Sequence, residues 1–195
     1  MAANSGRLAL LKFAYPVEAA GGKRRIGAVV FLMAIGLLLT ACASFRPGAD
    51  DAEVVDVPVD GPAALANVNA YRSSRGLHAL SLDPRLNEVS REMAHLIARH
   101  DSLDVRAHSA SGLARRLDGS GYENYAGAEN LGAGYRDFDA ALAGWKGSKD
   151  HDKNLLNPYV TRVGFARTRR SDGKWRNFWV MILSRPKEDG PPDVD

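Results

Sequence analysis

The chain has 195 residues, 45% hydrophobic and 25% charged, which is room for one globular domain with tails and has no internal repeat. Its formal charge of +3 comes from the first 41 residues, where Arg7, Lys12, Lys23, Arg24 and Arg25 stand against the single acid Glu18. Taking these away leaves a nearly neutral body, which excludes a nucleic-acid partner because phosphate binding needs clustered cations.

Lys23-Arg24-Arg25 precedes an uncharged apolar run, Ile26 to Thr40, and then Leu39-Thr40-Ala41-Cys42. A cationic start, an apolar core and small residues before a cleavage point predict an export signal over 1–41. The pattern before Cys42 resembles a bacterial lipobox, and the thiol of Cys42 is the nucleophile that lipidation requires. The expected location is the cell envelope, with the lipid in the outer membrane or the outer face of the inner one. The alternative is an uncleaved anchor helix, since the uncharged stretch continues to Phe45. Cys42 is the only cysteine, so the exported body has neither disulfides nor a cysteine nucleophile.

Residues 42–62, rich in Asp, Pro and Val, read as a tether, and 186–195 as a disordered tail. The folded domain is expected over 63–185, as a monomer. Pro62 suits a first helical turn, and Gly76 ends the helix that follows. Leu77–Leu82 is a connector. Asp83-Pro84 starts a second helix, with the stripe Leu86, Val89, Met93, Leu96 and Ile97 on one face. Gly112–Leu117 is a short helix, and Gly119–Gly127 a glycine- and tyrosine-rich loop. Asn130–Tyr135 is a weak strand and Asp137–Trp145 a helix. Gly147–Asn157 is a loop with one helical turn. Val160–Thr168 and Trp175–Ser184 form a hairpin about Ser171-Asp172-Gly173. Arg167, Arg169 and Arg170 read as its solvated face. The class is α+β, helices packed on an antiparallel sheet.

Of five histidines, His78, His95 and His100 read as surface or partly packed side chains. His108 lies outside regular structure, Glu129 before a strand, and His151 in the charged run Lys149-Asp150-His151-Asp152-Lys153. Taken singly, none of the three marks a site.

The ordered set does. Tyr71-Arg-Ser-Ser-Arg-Gly-Leu77, Leu80-Ser-Leu-Asp-Pro-Arg-Leu86, His108-Ser109, Gly127-Ala-Glu-Asn130, Trp145, His151, Asn154-Leu-Leu-Asn-Pro158 and Val163-Gly164 resemble the CAP superfamily of cysteine-rich secretory, antigen 5 and pathogenesis-related proteins (SCP-like extracellular proteins) in its bacterial branch. The resemblance spans about Ala64 to Leu183. It implies an α-β-α sandwich behind a lipoprotein signal peptide. It implies a cleft lined by His108, Glu129 and His151, and a role in binding a lipid or protein ligand. Two imidazoles and a carboxylate are a sufficient donor set for Zn²⁺ with one position open, so the trio is also the expected metal set. Glu129 is the candidate general base of the alternative, a metal-assisted hydrolase of envelope peptides or esters. The pattern departs from the family where Ala128 stands before Glu129 and where Lys149-Asp150 precedes His151. Asn130, Asn157, Trp145 and Tyr135 read as framework.

Overall fold

The computed structural model describes residues 52–192. The export signal over 1–41 and Cys42 lie outside them. Among the described residues no helix is long and apolar enough to cross a membrane.

The elements in chain order are β1 (Val54–Asp56), α1 (Gly61–Ser73), β2 (Ser81–Leu82), α2 (Pro84–His100) and α3 (Ala110–Gly119). β3 (Asn124–Ala133), α4 (Phe138–Lys146), α5 (Lys149–Leu155), β4 (Arg162–Arg170) and β5 (Asn177–Pro186) follow. The strands make one sheet in the order β1-β4-β5-β3, antiparallel throughout, and β2 adds a short parallel pair to β4.

Helix starts follow the local chemistry. Asp60, Asp83, Ser109 and Asp137 each accept a backbone N–H of the first turn through the side chain, at α1, α2, α3 and α4. Pro62 and Pro84 occupy first-turn positions where no amide hydrogen is needed. The stripe of α2 is buried at Leu86, Val89, Met93 and Ile97.

β5 is covered on both faces, which is why it reads as an unbroken apolar run. Phe178, Val180 and Ile182 face α2 and α3, with Leu131 of β3 and Ala166 of β4. Trp179, Met181 and Leu183 face α1, α4 and α5, with Ala128, Val163 and Phe165. The result is the expected α-β-α sandwich. Phe138 sits edge-on to Trp145, Phe165 and Trp179, with ring centroids 6.1, 5.2 and 6.1 Å apart.

Where α2 crosses β4, the position of Gly164 has no room for a side chain. A Cβ there would lie 2.5 Å from the Asn87 amide nitrogen and closer still to the carbonyl carbon of Leu86. Backbone cannot give way as a flexible side chain can. Gly164→Ala is therefore expected to cost at least the ~1–3 kcal/mol typical of overpacking. Urea denaturation checks this, and an unchanged midpoint would contradict the close crossing.

The ends of the domain differ from expectation. The tether 42–62 is not free over its described part. Val54–Asp56 pairs with Thr168–Arg170, and His95 of α2 bonds Asp56 at 2.7 Å. In the expected tail, β5 runs to Pro186 and a 3₁₀ turn covers Lys187–Asp189. Arg162 holds Asp189 at 2.6 and 2.8 Å, and Thr161 donates to the same carboxylate. The hydrogen bonds from Arg162 and Thr161 pull the Asp189 carboxyl down to about 2. Three hydrogen bonds from two residues to one carboxylate order a segment whose composition alone reads as loop.

Candidate functional site

β3 is the outer strand of the sheet, and the two helical layers meet along its unpaired edge. Its side chains alternate: Leu131 belongs to the core under α2 and α3, Ala128 to the core under α1, α4 and α5. Glu129 therefore points toward α3, and Asn130 toward α5.

On the α3 side, Nη2 of Arg116 donates to both oxygens of Glu129, at 2.8 and 2.9 Å. Nδ1 of His108, just ahead of α3, lies 3.1 Å from the second oxygen. The Glu129 side chain is 4% exposed, Arg116 15% and His108 35%, so the solvent meets the carboxylate by way of the histidine. On the α5 side, the fully buried Asn130 donates to the carbonyl of His151 at 3.1 Å. Asn154 donates to the Asn130 side-chain oxygen at 2.9 Å and to the Glu129 carbonyl at 3.0 Å. These bonds stitch α5 to the strand edge and satisfy backbone groups that an edge leaves open.

Between the layers lies a cavity of about 250 Å³. Ala110, Leu113, Gly127 and Ala128 supply apolar wall; His108, Ser109, Glu129 and Asn154 supply polar groups. His151 is not part of the lining but stands close enough to feel His108. Burial holds its imidazole below the ordinary histidine range, His108 lowers it further, and Asp150 pulls the other way. The folded protein thus prefers neutral His151, and the unfolded chain binds its proton more readily. The stability from this preference is complete above about pH 6.5 and is lost as pH falls toward the depressed folded value. His151→Gln is expected to flatten this part of the acid sensitivity. Denaturation midpoints at pH 7.5 and pH 5 for both proteins check it, and parallel losses would contradict it.

The structure brings His108 and Glu129 into direct contact and His151 within electrostatic reach of His108. It does not arrange the three as zinc ligands. Among the described residues no group of three or more His, Cys, Asp or Glu side chains is placed to hold a metal ion. Arg116 already sets a permanent cation against both Glu129 oxygens, where zinc would have to sit. The same guanidinium leaves Glu129 poorly free to serve as the expected base. Ser109, the adjacent hydroxyl, is engaged as the cap of α3 through Gly112 N at 3.1 Å.

Arg116 and Asn154 are absent from the sequence-based set. Arg116 carries a usable signal. On α3 it lies beside the buried Leu113 and Leu117, and a cation on an apolar helix face calls for a buried carboxylate. Asn154 opens the Asn154-Leu-Leu-Asn-Pro158 segment of the resemblance, but nothing in that segment says that its side chain reaches the edge of β3.

The Bacillus subtilis (strain 168) protein YkwD is 25% identical over 96 residues, 49% of this chain and 37% of its own length. This chain thus spans well under half of that relative. An extracellular protein containing an SCP domain from Bacillus anthracis is 25% identical, with a TM-score of 0.54 over 64% of this chain and 39% of that one. An outer surface protein of Borrelia burgdorferi is 17% identical, with a TM-score of 0.60 over 69% of this chain and the whole of that one, which shows the shared fold. The model of the cysteine-rich secretory protein family matches residues 65–183, so with this sandwich and this cleft the chain belongs to the CAP family.

Proposed function

We infer that the protein is an exported CAP domain, tethered to a membrane by lipid on Cys42, and that its cleft binds part of another molecule. The carrying observation is the buried Glu129 carboxylate, held by Arg116 and His108, in the wall of an open cavity. A cluster of this kind costs desolvation to assemble, and it holds the His108 ring in one orientation at the solvent boundary. The signal pattern before Cys42 supports the location, as does the likeness to the extracellular SCP-domain protein of Bacillus anthracis.

The cavity, at about 250 Å³, is below the roughly 300–1,000 Å³ of ordinary small-molecule sites. It fits one side chain or a short acyl end rather than a whole sterol. Its apolar floor takes the body of such a group, and His108 and Asn154 take a polar end.

N-acetylated amino-acid amides with aliphatic and polar side chains serve as probes, followed through the ring signals of His108 and the methyls of Leu113. Saturable shifts at both are expected, weaker in Gly127→Val, because a Cβ there points at Leu113 and Leu117 from 3.5 Å. Absence of any saturable shift at these two residues would refute the binding reading.

A further inference from the structure

We propose that the β4–β5 hairpin is a membrane-contacting foot that rests on anionic lipid headgroups beside the anchor. The proposal rests on the reading of Cys42 as the lipidated residue and adds how the domain stands on that membrane.

The chain reaches the domain at this hairpin. Val54 pairs with Arg170, and Glu53 and Ser171 exchange backbone and side-chain hydrogen bonds. Only nine residues separate Cys42 from Ala52, so the lipid lies within about 35 Å of this point whatever path they take. The ordered strand leaves far less slack than a tether running to residue 62 would give.

The hairpin's composition suits an interface. Arg169, Lys174 and Arg176 are exposed, and Trp175 is half-buried with the Lys174 ammonium 4.8 Å from its ring centroid. Tryptophan and basic residues together are what settles at a headgroup layer. Among the described residues, two of the neighbouring acids have partners. Asp172 pairs with Arg170 at 3.1 Å, and Asp101 accepts the backbone N–H groups of Lys174 and Trp175, while Glu53 adds one carboxylate beside Ser171. The Asp101 bonds also tie the tip to the end of α2. Along the sheet, the hairpin begins at Asn177, whereas Glu129 stands opposite Ile182 and Gly127 opposite Ser184. A domain standing on the hairpin therefore leaves the cleft clear of the membrane.

The test uses the full lipidated chain reconstituted into vesicles of phosphatidylcholine alone or with phosphatidylglycerol, each with and without brominated acyl chains. Flotation reports anchoring, with Cys42→Ser as control, and tryptophan fluorescence reports contact. In phosphatidylglycerol vesicles, bromolipid should quench the wild type. The quenching should be lost in Trp175→Phe, and reduced in Arg169→Glu/Lys174→Glu and by salt. Flotation without quenching of Trp175 would overturn the foot while leaving the anchor. Failure to float, equal to Cys42→Ser, would overturn the anchor and the foot with it. Equal quenching in phosphatidylcholine alone would overturn the role of anionic headgroups.

Discussion

Arg72→Ala is expected to be among the most damaging single changes in the domain. Arg72 is fully buried in α1 and its guanidinium binds three carbonyls. Nε donates to His78 at 3.1 Å, and Nη1 to Leu155 at 2.7 Å and Asn157 at 2.9 Å. Burial lowers its pKa from the ordinary arginine range, yet the group remains a cation, stabilised by carbonyl dipoles. Truncation leaves those carbonyls without their donor and opens a cavity. The expected cost is about 3–5 kcal/mol, set by charged hydrogen bonds and the lost volume. Against a typical stability of roughly 5–15 kcal/mol, that decides whether the domain persists. The effect has a direction in space. Leu155 and Asn157 close the end of α5, so the helix carrying His151 and Asn154 should loosen first. Amide exchange across 149–157 in the milder Arg72→Lys checks this. Protection there equal to wild type would contradict the role given to Arg72.

Glu129→Ala is expected to be as severe, for a different reason. It strands the Arg116 guanidinium in a buried place without its carboxylate, a loss of roughly 3–5 kcal/mol. Arg116→Ala is the mirror case and leaves Glu129 with His108 alone. If the pair holds the cleft wall, the two losses are not additive. Replacing both with apolar groups of similar shape, Arg116→Met with Glu129→Leu, should recover much of the stability because no charge is left unpaired. The same double variant should not regain the probe binding expected at His108 and Leu113. Urea denaturation of the wild type, Arg116→Met, Glu129→Leu and the double variant tests the coupling. Additive losses would show that Arg116 and Glu129 act separately.

Much of this was legible in the residues, and the failures have physical causes. The α2 helix could be read because Asp83, Pro84 and the stripe of Leu86, Val89, Met93 and Ile97 all point one way. β5 could be read because a strand buried on both faces is apolar without a break. The first half of β3 reads as loop, since Asn124, Ala126, Gly127 and Ala128 carry little strand preference against the single Tyr125, and pairing with β5 overrides that. The helix at Lys149–Leu155 hides in a charge run; it exists because Asn130 and Arg72 hold it from outside and its own Asn154 bonds back to the strand edge. β1 has three residues and no pattern of its own. Its place comes from β4, Ser171 and His95. The same limit applies to the cleft. His108 and Glu129 follow from the ordered resemblance, but the partner of Glu129 is an arginine eight positions beyond His108, on the other side of a helix cap. Treating the carboxylate as free made zinc look suitable. The guanidinium removes that option.

The central claim is that side chains from the two helical layers converge at the outer edge of β3. A histidine titration followed by NMR tests it most directly, reading the His151 ring in the wild type and in His108→Gln. The structure predicts a His151 pKa below the ordinary histidine range that rises when the His108 charge is removed but stays depressed by burial. A His151 titration that is the same in both proteins would show that the two rings do not lie near each other, and would contradict this convergence.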